Sequence, residues 1–390
     1  LVLTPANARR VAEKLSELRG AAMKVGQLLS MDAGDILPAE LTDILARLRA
    51  DARPMPMSEV VTVMQASFGK GWEQQFKRFS FTPMAAASIG QVHAAISQSD
   101  RQLAIKIQYP GIAQSIDNDV DNVATLLKVS RLLPDGLDLH PLLQEAKRQL
   151  HEEADYLLEA GHLRNFAAAL KDTPELLVPG VDERFTRSNI LAMDLLEGEP
   201  IESLATATQA TRDRIVELLL ELLFRELFEF GMIQTDPNFA NFIYSTSTRQ
   251  LGLLDFGATR VYPVELIAAY RGLLEAALRE DHAAMSVNAR AIGYFRNDIH
   301  AQQRAAVIDL FVLATEPART QGRYDFGESD LAIRIRDAGM ALSFEQGYWH
   351  TPPADAVFLH RKLGGLYLLA ARLRAKVDVR IILERYLHHE

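Results

Sequence analysis

The chain has 390 residues, of which 48% are hydrophobic, a formal net charge of −9 and no cysteine. A chain of this length and composition buries large cores and divides into roughly two or three folded units, so a disordered protein is excluded. The acidic balance, without a basic run, argues against nucleic acid as a partner, and the lack of cysteine excludes disulfides, zinc–thiolate sites and thiol nucleophiles.

The N-terminal region predicts a long first helix. Thr4 and Pro5 form a helix start, and apolar residues then recur at nearly helical spacing as far as Leu29. Gly26 lies inside this helix, where a glycine costs about 1 kcal/mol relative to alanine. It therefore indicates close packing against another segment, and a merely tolerated glycine is the alternative.

Two further helices are predicted before residue 80. Pro38 begins the second, and the third covers 58–68 after a proline-rich link. Residues 1–80 are therefore predicted to form an all-helical N-terminal domain.

The pattern then changes to alternating apolar residues from Ala85 to Gly111, which predicts a β-hairpin around the polar turn SQSDR. Lys106 lies in the second strand, between Ile105 and Ile107. A lysine flanked in this way often points to solvent at a sheet edge. The alternative is a lysine placed to bind the α- and β-phosphates of a nucleotide.

Two long helices are predicted to follow, over 112–133 and from Leu139 to about Lys171. The second carries an acidic cluster made of Glu152, Glu153, Asp155 and Glu159. Such clusters are usually solvated helix faces. The alternative is that one of these carboxylates pairs with Lys106.

Asn189 to Leu196 reads as an apolar strand followed by the turn EGEP, which predicts a hinge between two lobes. Backbone groups near Asp194 would then be available to the edge of an adenine ring. After Pro200 the chain is predicted to be helical as far as Gly231.

The most apolar stretch of the chain, 215–230, is interrupted by five charged side chains. It therefore predicts a buried core helix and not a membrane span. Neither a signal peptide nor a transmembrane segment is predicted.

The stretch from Met232 to Arg260 carries the strongest indication of function. Asp236 and Asn241 stand five residues apart, and Asp255 opens a DFG triplet after two predicted strands, NFIY and QLGLLDF. In protein kinases an Asp-x4-Asn loop precedes a DFG; the first Asp orients the acceptor hydroxyl, while the Asn and the DFG Asp hold magnesium on ATP phosphates. An isolated DFG also forms an ordinary strand-ending turn, which is the alternative.

From Pro263 the chain is predicted to be mainly helical as far as Leu387, with Asp281, His282 and His360 as structural or surface groups. It contains no Gly-x4-Gly-Lys-Ser/Thr, His-Glu-x-x-His or Gly-x-Gly-x-x-Gly motif. The common nucleotide- and zinc-binding alternatives therefore lack support.

Taken in order, these motifs resemble the UbiB/AarF family of atypical protein-kinase-like proteins, and the resemblance covers nearly the whole chain. The ordered set is far more specific than any one motif. The matching residues are Lys24 to Gln27 for KxGQ, Ala85, Ala86, Ala87 and Ser88 for the alanine-rich loop, Lys106 in AIK, Glu153 and Asp155 for ExD, Glu159 as the partner of the lysine, Asp236 with Asn241, and Asp255 in DFG.

The resemblance implies an α+β, two-lobed protein-kinase-like fold with an N-terminal helical extension that carries KxGQ. The implied domains are the extension at 1–80, an N-lobe at 81–197 and a mostly helical C-lobe at 198–390. The extension would lie across the cleft where a peptide substrate docks, so Lys24 and Gln27 would face the active site.

The resemblance further implies ATP and Mg²⁺ as cofactors. The implied catalytic residues are Asp236, Lys106 and Glu159, the implied nucleotide-binding residues are Lys24, Gln27, Ala85, Ala86, Ala87, Ser88, Lys106 and Asp194, and the implied metal ligands are Asn241, Asp255 and Glu153. Around the catalytic Asp the family usually reads HADxHPGN, whereas this chain reads QTDPNFAN from Gln234 to Asn241. It keeps the Asp and the Asn and lacks both histidines and the glycine.

The leading functional hypothesis is an atypical kinase or ATPase that hydrolyses ATP or phosphorylates a small-molecule or lipid-pathway acceptor, in support of ubiquinone or other isoprenoid-lipid biosynthesis. The alternative, favoured by the altered catalytic loop, is a catalytically weak nucleotide-binding switch or scaffold for a lipid-biosynthetic complex. A purely structural helical scaffold is the third hypothesis. The expected partners are isoprenoid lipid or quinone-biosynthesis proteins, and the expected location is the cytoplasm, with peripheral contact to the inner membrane as an option.

Overall fold

The computed structural model of the protein describes residues 18, 20–22, 24–26, 54–130, 140–236, 238–295, 299–342, 348 and 352–387. These residues fall into two compact units. The first contains the described residues up to Ala167 together with Pro179–Leu196, and the second contains Ala168–Val178 and the described residues from Glu197 onward. The helix starts predicted at Thr4 and Pro38, and the nucleotide-binding role predicted for Gln27, lie outside the described residues.

The described strands are, in chain order, β1 (Phe76–Ala86), β2 (Gly90–Ser97), β3 (Gln102–Gln108), β4 (Leu176–Leu177), β5 (Ile190–Asp194), β6 (Glu199–Pro200), β7 (Met232–Gln234), β8 (Phe242–Ser245), β9 (Gln250–Leu253), β10 (Thr259–Val261), β11 (Tyr324–Asp325) and β12 (Lys376–Val377). The described α-helices are α1 (Met57–Phe68), α2 (Ile112–Ser130), α3 (His140–Glu153), α4 (Tyr156–Ala169), α5 (Gln209–Arg225), α6 (Val264–Leu278), α7 (His282–Ile292), α8 (Ala301–Ala314), α9 (Glu316–Arg319), α10 (Leu331–Met340), α11 (Ala354–Arg372) and α12 (Val379–Leu387).

The first unit is built on an antiparallel sheet with the strand order β1-β2-β3-β5. Along β3, Leu103, Ile105 and Ile107 are fully buried in one hydrophobic core together with Trp72 and residues of α1. Because successive side chains of a strand point to opposite faces, Lys106 lies on the other face of the sheet. The predicted hairpin is confirmed as β2 and β3, and the predicted third helix is confirmed as α1.

Strand β1 shows that the prediction of helix throughout 1–80 is wrong for its last residues. β1 begins at Phe76, and its aromatic side chains pack on Trp72, with Phe79 at 5.0 Å between ring centroids. Aromatic residues favour strands that are half buried against other rings. The alanine-rich segment is therefore the end of β1 and the turn into β2.

The helix predicted from Leu139 to about Lys171 is broken into α3 and α4. Between them Asp155 accepts hydrogen bonds through Oδ1 from the backbone N–H groups of Leu157 (3.0 Å) and Leu158 (3.3 Å). An Asp that caps the N–H groups of a following turn begins a new helix. The break places Glu159 in the first turn of α4.

The second unit contains the two strand pairs that carry the central motifs. β8 and β9 form the predicted antiparallel hairpin, with Phe242 opposite Leu253. β7 pairs with β10 in an antiparallel ladder, with Gln234 opposite Thr259. Asp236 and the DFG triplet therefore lie next to the ends of neighbouring short strands.

The rest of the second unit is mainly helical, as predicted. α5 ends in a π-helical turn over Glu226–Phe230, and Gly231 follows in the left-handed region with φ of 63°. The short pair β11 and β12 was not predicted, since strands of two residues carry no periodicity. Among the helices in the described part of the chain, none is both long enough and apolar enough to cross a membrane.

Candidate functional site

Lys106 and Glu159 form a buried ion pair within the first unit. The Nζ of Lys106 lies 2.9 Å from Oε1 and 3.0 Å from Oε2 of Glu159, and the two residues are 6% and 1% exposed. The interpretation of Lys106 as a solvent-facing edge lysine is therefore wrong, because β3 lies between β2 and β5. Glu159 is in the first turn of α4, where the helix dipole favours a carboxylate.

Glu153 connects two other motifs of the first unit. Its Oε1 forms an ion pair with Lys24, and its Oε2 accepts a hydrogen bond of 2.8 Å from the Ser88 hydroxyl. Lys24 is only 8% exposed. With both oxygens engaged, Glu153 acts as an ion-pair and hydrogen-bond partner here, and its assignment as a metal ligand stays a prediction that requires Lys24 to move away.

The helical segment around Lys24 lies close against the turn between β1 and β2. A Cβ at Gly20 would come within 3.3 Å of both the Ser88 carbonyl oxygen and the Ile89 side chain. The turn itself is tight, because the Ala87 N–H donates to the Gly90 carbonyl at 2.9 Å. Ala85 and Ala86 are exposed and Ala87 is half-buried, so this edge of the turn carries methyl groups where a glycine-rich loop would carry none.

Asp194 at the end of β5 is engaged within the first unit. Its carboxylate accepts hydrogen bonds from Arg101, at 2.6 Å from Nη2, and from the Gly180 N–H at 3.1 Å. Its own N–H donates to the Gly180 carbonyl at 2.9 Å. The predicted contact to an adenine edge therefore cannot use this N–H as arranged, and the nucleotide-binding role of Asp194 stays a prediction.

Asp236 and Asn241 are joined within the second unit. The Nδ2 of Asn241 donates to Oδ2 of Asp236 at 3.0 Å, and the Asn238 N–H donates to Oδ1 at 3.2 Å. Asn238 in turn accepts the Ala240 N–H at 3.1 Å and caps a 3₁₀ turn over Phe239–Asn241. Ala240 lies inside this turn, where a Cβ is accommodated, so the loop closes without the glycine of the family pattern.

Asp255 lies beside this loop. The Leu254 N–H donates to the Asn241 carbonyl at 2.9 Å, which joins the residue before Asp255 to the loop that carries Asp236 and Asn241. Oδ1 of Asp255 accepts the Gly257 N–H at 2.9 Å, and Phe256 is 1% exposed. Backbone hydrogen bonding therefore brings Asp236, Asn241 and Asp255 to one region.

The Asp255 carboxylate and the Asn241 amide oxygen fit the ligand preferences of magnesium. Mg²⁺ prefers oxygen ligands and is usually held by one or two carboxylates together with substrate phosphates and water. In the described residues no group of three or more His, Cys, Asp or Glu could hold a metal by itself. One carboxylate and one amide oxygen form an incomplete ligand set, which suits a metal that arrives with phosphate.

Two ion pairs next to these strands could not be found from the sequence. Glu226, 1% exposed, forms an ion pair with Lys362 on α11, and burial raises the pKa of Glu226 and lowers the pKa of Lys362. Arg260 on β10 contacts Asp355 on α11, with 2.8 Å from Nε to Oδ1. Partners this far apart in the chain give no local pattern.

Residues 47–289 match the model of the ABC1 atypical kinase-like domain. The chain is 39% identical to the atypical kinase COQ8, mitochondrial, of Saccharomyces cerevisiae over 97% of this chain and 75% of that protein. It is 36% identical to the atypical kinase COQ8B, mitochondrial, of Rattus norvegicus over 99% of this chain and 73% of that protein.

Among solved structures, the chain is similar to Rv3197 from Mycobacterium tuberculosis, determined as a complex with erythromycin. The TM-score is 0.66 at 27% identity, over 95% of this chain and 93% of that one. Together with the domain match, this similarity confirms the predicted α+β, kinase-like fold.

Proposed function

The chain belongs to the ABC1 atypical kinase-like (UbiB/AarF) family, and from this premise we propose that it binds Mg²⁺–ATP and either hydrolyses it or transfers its terminal phosphoryl group to a small-molecule or lipid-pathway acceptor. The acceptor class proposed is an intermediate of ubiquinone or other isoprenoid-lipid biosynthesis. The proposal includes peripheral contact with a membrane and with proteins of such a pathway.

The observation that carries the proposal is the Lys106–Glu159 pair. A strand lysine held by both oxygens of a helix glutamate is the ion pair that kinase chemistry requires. Lys106 would bind the α- and β-phosphate oxygens. Glu159 would keep its ammonium group charged and oriented despite burial, since an unpaired buried lysine tends to lose its proton.

Three side chains of the second unit have the chemistry that the rest of the reaction needs. Asp255 and Asn241 would hold the magnesium ion, which when bound neutralises charge on the phosphate oxygens. Asp236 would orient the attacking hydroxyl or water by accepting its hydrogen bond, and the Asn241 amide keeps the Asp236 carboxylate in place.

Asp236→Asn tests this function. It should lower ATP turnover by about 10² to 10⁴, the usual contribution of a positioned general base, and leave nucleotide affinity almost unchanged. ATP hydrolysis and phosphoryl transfer to lipid extracts would be measured beside nucleotide binding by calorimetry. Asp172→Asn, which changes an exposed carboxylate of the same unit, is the matched control and should behave as the wild type.

A second candidate function is a nucleotide-binding switch with little turnover. The observation that favours it is that both Asp236 oxygens accept hydrogen bonds from within their own loop. Equal residual turnover in the wild type and in Asp236→Asn, with nucleotide binding intact, would contradict the enzyme and support the switch.

A further inference from the structure

Helix α11 is linked by side chains to both strands next to the predicted catalytic motifs, directly to β10 and through Glu226 to β7, although it lies outside the residues 47–289 that match the family domain. Its contacts come from two charged side chains on different turns, Asp355 near its start and Lys362 near its middle. Asp355 pairs with Arg260, which belongs to β10, and Lys362 pairs with Glu226, which is hydrogen-bonded to β7.

The Lys362 contact reaches β7 through Glu226. Glu226 follows the last residue of α5 and begins the π-helical turn before β7. Its Oε2 pairs with Lys362, and its Oε1 accepts the backbone N–H of Gln234 at 3.4 Å. Gln234 is two residues before Asp236, so one carboxylate joins α11 to the strand that presents the catalytic Asp.

The Asp355 contact reaches β10 through Arg260. The guanidinium lies 2.6 Å from Asp355 through Nη2 and 4.6 Å above the Phe358 ring, and the Tyr262 hydroxyl donates to the Asp355 carbonyl at 2.7 Å. Arg260 stands opposite Ile233 in the β7–β10 ladder. This contact therefore holds the strand that directly follows the DFG turn.

The Glu226–Lys362 pair is a costly way to gain stability alone. Two buried charges lose their hydration, and replacing such pairs by apolar residues is often neutral or stabilising. What an apolar contact would not supply is the directional bond from the same carboxylate to the Gln234 backbone. The pair therefore contributes more to the placement of β7 than to the stability of the core.

We propose that α11 is a positioning helix for the active site, in which Lys362 through Glu226 and Asp355 through Arg260 hold β7 and β10 in register and so set the relative positions of Asp236 and Asp255. None of the four residues touches the reacting groups; they act through the two strands. The kinetic part of this proposal rests on the proposed function.

The test compares two double variants. Glu226→Leu with Lys362→Met removes both buried charges and the acceptor of the Gln234 N–H together, so no unpaired charge is left in the core. Arg372→Met with Glu202→Leu removes an ion pair at the other end of α11 that is 58% and 37% exposed, and it is the matched control. Lys362→Arg keeps the charge and is the conservative variant.

Amide hydrogen exchange of the folded proteins is the first readout. In the Glu226/Lys362 variant the N–H groups of 232–236 and 255–261 should exchange at least tenfold faster, while β2, β3 and α12 exchange as in the wild type and the control is unchanged. Unchanged exchange at β7 and β10 would overturn the proposal. Faster exchange throughout the second unit would also overturn it, because the pair would then serve general stability.

Steady-state kinetics is the second readout. A misplacement of about 1 Å can cost on the order of 10²-fold in rate, so kcat should fall at least tenfold with KM for ATP changed less than about threefold. Lys362→Arg should recover most of kcat. A rise in KM for ATP with kcat unchanged would overturn the positioning role. If the wild type shows no turnover, the proposed function fails, and the exchange experiment still decides whether α11 positions the strands.

Discussion

The buried ammonium group of Lys106 is neutralised in the first unit by Glu159. Side chains with 8% and 1% exposure have almost no water to replace a lost partner. The pair therefore links the position of Lys106, the proposed nucleotide-binding lysine, to the position of α4.

Lys106→Met should lower the free energy of unfolding by about 3 to 5 kcal/mol, because it removes the cationic partner of the buried Glu159 carboxylate. Lys106→Met combined with Glu159→Leu should cost less than the single change. Urea unfolding of both variants measures this difference.

The control for this prediction is Lys77→Met on β1. Lys77 pairs with Asp100, but the two side chains are 43% and 75% exposed, so the loss should be at most about 1 kcal/mol. A double variant that is less stable than Lys106→Met alone would contradict the account of the buried pair.

At the scale of residues, the sequence could predict the side chains that stand close together in the chain or that match a family motif. Asp236, Asn241 and Asp255 lie within one short stretch, and hydrogen bonds bring them together. The Glu226–Lys362 and Arg260–Asp355 contacts could not be predicted, since they join residues 136 and 95 positions apart. Only the packing of α11 creates them.

Among the elements, α4 matters most for the site because it carries Glu159. Its start is defined by Asp155, an exposed residue whose carboxylate caps the first turn. The acidic cluster of the sequence therefore divides by role: Glu159 is buried, Glu153 is paired with Lys24, and Asp155 is a cap.

Asp155→Ala should lower the free energy of unfolding by about 1 kcal/mol, because the Leu157 N–H loses its acceptor and the Leu158 N–H keeps only the Asp155 backbone carbonyl. Asp155→Asn should lower the free energy of unfolding by only a few tenths of a kcal/mol, since asparagine is an equally good cap. Chemical denaturation would measure both. A loss in Asp155→Asn as large as in Asp155→Ala would show that the charge, and not the cap, is what the residue provides.

His360 gives α11 a dependence on pH. Its ring stacks on Tyr294 at 5.2 Å and an interplanar angle of 12°, and burial lowers the pKa of His360 to about 4. The neighbouring phenols of Tyr270 and Tyr294 have raised pKa values and stay neutral in acid. His360 is therefore neutral in the folded protein at pH values where the unfolded chain binds a proton.

The folded pKa is below the ordinary value of 6.5, so stability from this group is complete above pH 6.5 and is lost as the pH falls towards 4. Between pH 8 and pH 5 the wild type should lose about 1 to 2 kcal/mol that His360→Gln does not lose. Urea unfolding at the two pH values measures this. Parallel losses in both proteins would contradict it.

Strand β1 shows why some elements could not be predicted. Its pairing with β2 has register shifts between Phe76 and Arg78 and on both sides of Pro83. Each shift interrupts the alternation by which a strand is identified in a sequence. By contrast β3, β8 and β9 pair regularly and were predicted.

At the scale of the whole molecule, the predicted α+β composition and kinase-like fold are confirmed. The described residues form two compact units, each with more contacts inside it than to the other. The helical extension at 1–80 stays a prediction as a separate domain, since most of it lies outside the described residues. What the sequence could not provide is the role of α11, because the helix has ordinary amphipathic periodicity and its partners are distant.

The proposed function requires the protein to bind a magnesium–nucleotide complex. The most direct test is thermal unfolding of the wild type and Asp255→Asn with ATP or ADP, each with magnesium and with EDTA. At about 100 times its dissociation constant a ligand adds roughly 2.7 kcal/mol to the folded state. We expect a magnesium-dependent rise in the unfolding midpoint of the wild type that is lost in Asp255→Asn. No shift at saturating nucleotide, or the same magnesium-dependent shift in both proteins, would contradict it.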